Sequence, residues 1–178
     1  MSKLISGFFA MLIACGMLPT IASASDDGPC PRPAAGSVAA QPPDLYSSNG
    51  ALNVSFNYYT TVDAVGRTLF CFETPAGLEA PTLHLRPGDT LNLSVTNLIR
   101  KPPPGSPTEL VSNSSDACGD VTMTITSLNV HFHGTNTSPT CHADEVIHTL
   151  INSGEPFNYS VQFPTSTAAQ RIRRIARC

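Results

Sequence analysis

Four stretches of this chain alternate apolar and polar residues with a period of two, and that alternation limits the possible folds more than any other feature. Leu52, Val54, Phe56 and Tyr58 alternate with Asn53, Ser55 and Asn57. Leu91, Leu93 and Val95 alternate with Asn92, Ser94 and Thr96. Val121, Met123 and Ile125 alternate with threonines, and Phe157, Tyr159, Val161 and Phe163 with Asn158, Ser160 and Gln162. Successive side chains of a strand point to opposite faces. Each stretch therefore predicts a strand with one face for a core and one for water. Between residues 50 and 164 no stretch places apolar residues at helical spacing. The expected fold class is all-β, an antiparallel β-sandwich, with a turn at Pro87-Gly88-Asp89.

The 178 residues suffice for one domain of ordinary size. Residues 25–50, rich in Pro, Ala, Gly and Ser, predict an extended arm with little core of its own. The domain proper is expected over residues 51–164. Residues 101–119 are rich in Pro and Ser, and a structureless loop of that length is unusual in a compact domain. Either it is a functional insertion or Cys118 ties it down. After Pro164 the alternation stops. Residues 165–178 form an atypical basic tail with four arginines, expected to be foreign to the fold, as a frameshifted end would be. A short basic helix at a membrane surface is the other reading.

Residues 1–24 have the form of a signal peptide. Lys3 supplies the positive start, Leu4 to Leu18 the apolar run, and Ala22-Ser23-Ala24 the small-x-small cleavage site. A lipoprotein signal built on Cys15 is the alternative. The run is too short to span a bilayer comfortably, and no other stretch comes near the roughly 20 residues required. The expected location is periplasmic or extracellular. Cys30, Cys71, Cys118, Cys141 and Cys178 would then lie in an oxidising compartment that permits disulfides, and an odd count leaves at least one unpaired within the chain. Residues 25–164 carry 13 acidic and 5 basic side chains, a formal −8. Such a body lacks the basic surface that nucleic acid requires.

The sharpest chemical motif is Asn129-Val130-His131-Phe132-His133-Gly134. On a strand, His131 and His133 share a face, with Val130 and Phe132 on the other. Their Cα atoms would lie about 6.6 Å apart, at roughly 3.3 Å per residue. Two imidazoles so placed can bind one metal together or hold two adjacent metals, and imidazole suits copper and zinc. Gly134 would let a neighbouring backbone approach. The plain alternative is a pair of hydrogen-bonded histidines on a solvent face.

Context favours the metal. Pro81 to Asn97, a strand, a Gly-Asp turn, an alternating strand and a terminal Asn, resembles the opening strands of cupredoxin domains. His131-Phe132-His133-Gly134 is similar to the first copper-ligand motif of multicopper oxidases. Ser153 to Pro164 resembles the turn and aromatic strand that follow it. The order and spacing match together over residues 50–164. The resemblance implies a laccase-like multicopper oxidase and, for this chain, its amino-terminal cupredoxin (plastocyanin-like) domain. That fold is a Greek-key sandwich, here incomplete at its carboxy-terminal end. Copper is the implied cofactor. His131 would hold the type 2 ion and His133 one of the type 3 pair of a cluster that reduces dioxygen to water. The resemblance also puts an acidic residue, Asp144, near the copper.

The departures are as informative. The second ligand motif should follow Pro164, where the basic tail stands. A full trinuclear cluster takes eight histidines and the chain has five. Cys141-His142 with His148 is similar to a type 1 copper motif, but Thr140 stands where a His belongs and His148 comes late. His84 reads as an ordinary strand histidine. Asp144 and Glu145, adjacent in an extended chain, make a poor acid/base pair. The expected function is that of a copper-binding first domain, inactive alone, whose further cupredoxin domains, or another chain, would complete it. The alternative is a stand-alone exported cupredoxin-like copper-binding or interaction module. A disulfide-stapled sandwich without metal is a third reading.

Overall fold

The computed structural model describes residues 30–33, 36–38, 40–112 and 118–165. The expected signal peptide, residues 1–24, and all but the first residue of the basic tail lie outside them. Eight strands form in chain order: β1 Asp44–Tyr46, β2 Ala51–Val62, β3 Thr68–Glu73, β4 Thr82–His84, β5 Thr90–Asn97, β6 Thr108–Val111, β7 Val121–Thr124 and β8 Pro156–Gln162. The described residues contain no helix, and the all-β expectation holds.

The main sheet runs β3-β2-β5-β8, flanked by the two-stranded sheets β1-β4 and β6-β7. Alternation sets its faces. Leu52, Val54, Phe56, Leu91, Leu93, Val95, Tyr159 and Val161 are buried on one side, beneath Leu83, Val130, Phe132 and Ile151. The other side is a polar ladder in which Asn92 donates to Asn53 (2.9 Å) and Ser160 to Asn92 (3.1 Å). Each large apolar side chain buried here contributes about 1.5–3 kcal/mol.

Pairing is mixed rather than purely antiparallel. β2 runs parallel to β5, and β1 parallel to β4, whereas β2–β3 and β5–β8 are antiparallel. β3 and β4 intervene between β2 and β5 and return the chain to its starting end. A parallel neighbour needs such a crossover, because a tight hairpin cannot supply it.

Two further differences concern segments read as loose. The arm contributes a strand: Leu45 packs on the core, and Cys30, fully buried, is disulfide-bonded to Cys71 of β3. The Pro/Ser-rich segment contains β6, whose Thr108 to Val111 pairs with Val121 to Thr124. Thr108-Glu109-Leu110-Val111 does not alternate polar and apolar residues, and cross-strand pairing supplies what local pattern lacks. Cys118 does tie this segment down, through a disulfide to Cys141.

Asn97, the last residue of β5, joins the sheet to the loops that carry the motif. Its buried amide donates to Thr126 O (2.8 Å) and Ile151 O (2.9 Å), and its carbonyl accepts from Gly154 N (2.7 Å).

Candidate metal centre

The segment 129–134 lies outside the named strands. An isolated bridge, Leu128 with Ile151, and a hydrogen bond from the Asn129 side-chain amide to Val146 O (2.8 Å) tie its beginning to the rest of the chain. Its alternation survives even so: Val130 and Phe132 are buried, His131 is half-buried and His133 exposed. Side chains replace the sheet partner. Val130 N donates to the phenol oxygen of Tyr159 (3.1 Å), and Phe132 N to the Asp144 carboxylate (2.9 Å). Buried N–H groups must find acceptors, and here one Tyr and one Asp provide them. Gly134 ends the segment at φ +70°. A Cβ there would meet nothing within 4 Å. The glycine therefore serves a left-handed turn and not the close backbone approach expected from the sequence.

His131 and His133 come together as expected, with ring centroids 4.6 Å apart and planes at 69°. His131 Nδ1 lies 2.9 Å from Asp144 Oδ1. Thr137 donates to the other Asp144 oxygen (3.2 Å). The carboxylate accepts Nδ1–H, which leaves the lone pair on Nε2. An imidazole oriented in this way by a carboxylate is the usual state of a metal-ligating histidine. The pair thus fits copper as two of its nitrogen donors. Among the described residues no third His, Cys, Asp or Glu joins the two histidines in a compact donor group.

The neighbouring acid has another task. Glu145 accepts from Ile147 N (2.8 Å), His148 N (2.8 Å) and Thr149 N (2.6 Å), and pairs with His148 Nδ1 (3.2 Å). Burial pushes its carboxyl upward, but those N–H groups outweigh it and hold the carboxyl below its ordinary range. Tyr159 is pushed up to about 12, by burial first and then by the charges of Glu145 and Asp144, against the lowering effect of Val130 N–H. Its phenol stays neutral and structural.

The rival type 1 set does not assemble. Cys141 is in its disulfide with Cys118, and His148 is held by Glu145. His142 stacks on Phe157 (4.7 Å) and hydrogen-bonds Asn158 O. His84 pairs with Asp44 (2.8 Å) and stacks on Tyr46, a structural role. Sequence reasoning missed Tyr159 and Thr137. For Tyr159 a signal existed: on the core face of a strand, a phenol must find a hydrogen-bond partner.

No family model matches the chain, and no curated protein matches it. Some solved structures are similar. A multicopper oxidase from Campylobacter jejuni, described as a metallo-oxidase, aligns at 18% identity and TM-score 0.45, over 71% of this chain and 22% of that one. McoA, a multicopper oxidase from Aquifex aeolicus, aligns at 15% and 0.41, over 70% and 22%. CueO, a laccase-like multicopper oxidase from Ochrobactrum sp., aligns at 15% and 0.37, over the same shares. The chain spans about a fifth of the length of these proteins.

Proposed function

We propose that this chain is an exported, cupredoxin-like copper-binding domain, the first domain of a multicopper oxidase, with His131 and His133 as its copper ligands. The parent activity would be oxidation of phenol-like substrates or metal ions coupled to dioxygen reduction. The observation that carries the reading is the orientation of His131. Its Nδ1 is engaged by the buried Asp144, and the ring of His133 stands 4.6 Å away. Two imidazoles leave copper's coordination unfilled, so water or ligands from elsewhere must complete it. The test is titration with Cu(II), followed by electron paramagnetic resonance. We expect a nitrogen-coordinated signal that disappears in the double variant His131→Ala/His133→Ala. An unchanged signal in that variant would overturn the assignment.

One observation favours the alternative of a stand-alone module that binds copper or a partner. The outer edge of β8 is blocked: Ser160 N donates to His142 O (2.6 Å), and the His142 ring bonds Asn158 O (2.7 Å). A sheet edge covered in this way is protected against pairing with another chain. Sedimentation separates the two readings. A monodisperse, cooperatively melting monomer favours the module, and association favours a domain that needs its neighbours.

A further inference from the structure

A second cluster of metal-ligating groups lies apart from the histidine pair. The two sulfurs of Cys118 and Cys141 and a ring nitrogen of His142 lie within 4.8 Å of one another. In the oxidised chain the sulfurs are bonded together, so the group has no thiolate to offer. We propose that reduction of this disulfide by a thiol converts Cys118, Cys141 and His142 into a binding site for monovalent copper.

Three features support it. The first is the state of His142. Its Nδ1 lies 2.7 Å from the carbonyl oxygen of Asn158, which accepts the ring N–H and leaves Nε2 with its lone pair. A metal-binding imidazole typically gives its other N–H to a backbone carbonyl or carboxylate. The ring is further fixed by stacking on Phe157 at 4.7 Å and 8°. The second is backbone strain. His142 sits at φ +62°, where a side chain other than glycine is uncommon. Its carbonyl, 2.6 Å from Ser160 N, holds it there. Such strain gathers at functional positions. The third is access. Cys118 and Cys141 are half-buried, whereas Cys30 and Cys71 are 0% and 3% exposed. A thiol reductant can reach the first disulfide and not the second, and accessible disulfides are the labile ones.

The chemistry balances. Two thiols of the reductant supply two electrons, the Cys118–Cys141 bond breaks, and the reductant leaves as its own disulfide. Each protein sulfur is then a thiol, and metal binding displaces one proton from each. The Cα atoms are 5.6 Å apart. Two sulfurs each about 2.3 Å from one metal can be bridged across that distance. Both cysteines lie outside the named strands. Two thiolates and an imidazole make a soft set, which selects Cu(I) over harder ions.

The experiment uses the full chain with Cys15→Ser and Cys178→Ser, so that only the four bonded cysteines remain. Cu(I) is titrated against a chromophoric Cu(I) chelator before and after mild thiol treatment, with free thiols counted in parallel. We expect reduction to add one equivalent of Cu(I) to whatever the oxidised chain binds. That added equivalent should survive in Cys30→Ser/Cys71→Ser and in His131→Ala/His133→Ala, and vanish in Cys118→Ser/Cys141→Ser. His142→Ala, which keeps both cysteines, should weaken binding by at least about tenfold. This variant decides the question where the double serine variant does not fold. Equal uptake by oxidised and reduced chain, full affinity in His142→Ala, or preference for Zn(II) over Cu(I) would overturn the proposal.

Discussion

Asp144 is the residue on which the candidate centre turns. Its carboxylate accepts from the His131 ring, from Phe132 N and from Thr137, so it fixes both a ring and the backbone beside it. Asp144→Asn keeps the shape but loses the charge and one acceptor. The expected result is a fall in Cu(II) affinity of about 10–100-fold, measured by titration, with the fold intact by circular dichroism. Glu145 acts on stability instead. Its folded carboxyl lies below the ordinary value of 4.5. A depressed carboxyl stabilises the fold above its unfolded pKa, and that contribution is lost as pH falls through the folded value. Denaturation at a series of pH values should therefore show stability declining below about pH 4.5, with a shallower decline in Glu145→Gln. Equal slopes in the two proteins would remove Glu145 from the account.

At the scale of elements, the arm and the sheet form one unit. Cys30–Cys71 closes 41 residues, and Arg32 adds an ion pair to Glu79 at 2.6 Å. Half-exposed pairs of that kind contribute about 0–1 kcal/mol, so the disulfide is the larger restraint. By the chain-entropy estimate, opening a loop of this size costs about 4 kcal/mol. Cys30→Ser/Cys71→Ser should lower the unfolding free energy by that order in denaturant titration. Cys118→Ser/Cys141→Ser, which opens 23 residues, should cost slightly less, about 3.4 kcal/mol. A negligible loss on breaking Cys30–Cys71 would mean that β1 and the core hold the arm without it.

For the whole molecule, the proposed parent chemistry takes four single electrons from a substrate and delivers them to dioxygen. That requires an entry copper with a Cys thiolate and a cluster bridging domains. Here Cys141 is bonded to Cys118, and the candidate centre has two imidazoles. The purified, Cu(II)-loaded chain should show no steady oxygen uptake with phenols or aromatic amines, and no intense blue absorption. Sustained uptake with water as the product would reject the reading of a first domain that is inactive alone.

Much of this was readable from local pattern, because period-two alternation reports which face of a strand meets water. It located β2, β5, β7 and β8, put Val130 and Phe132 inside, and left His131 and His133 together on the outside. In β7 it named the wrong face: Met123 and, just beyond the strand, Ile125 are exposed, because β6 and β7 form a separate two-stranded sheet. Alternation carries no information about which strands are neighbours. The parallel pairing of β2 with β5, the brief β6 and the strand in the arm arise from long-range hydrogen bonds. The same holds for the partners of the site. Asp144 reaches His131 across 13 residues and Tyr159 reaches Val130 across 29. The pairing of Cys118 with Cys141, and the carbonyl that orients His142, likewise depended on the folded chain. A side chain's type declares what it can bond. Only the fold, by bringing distant segments within about 3 Å, decides what it does bond.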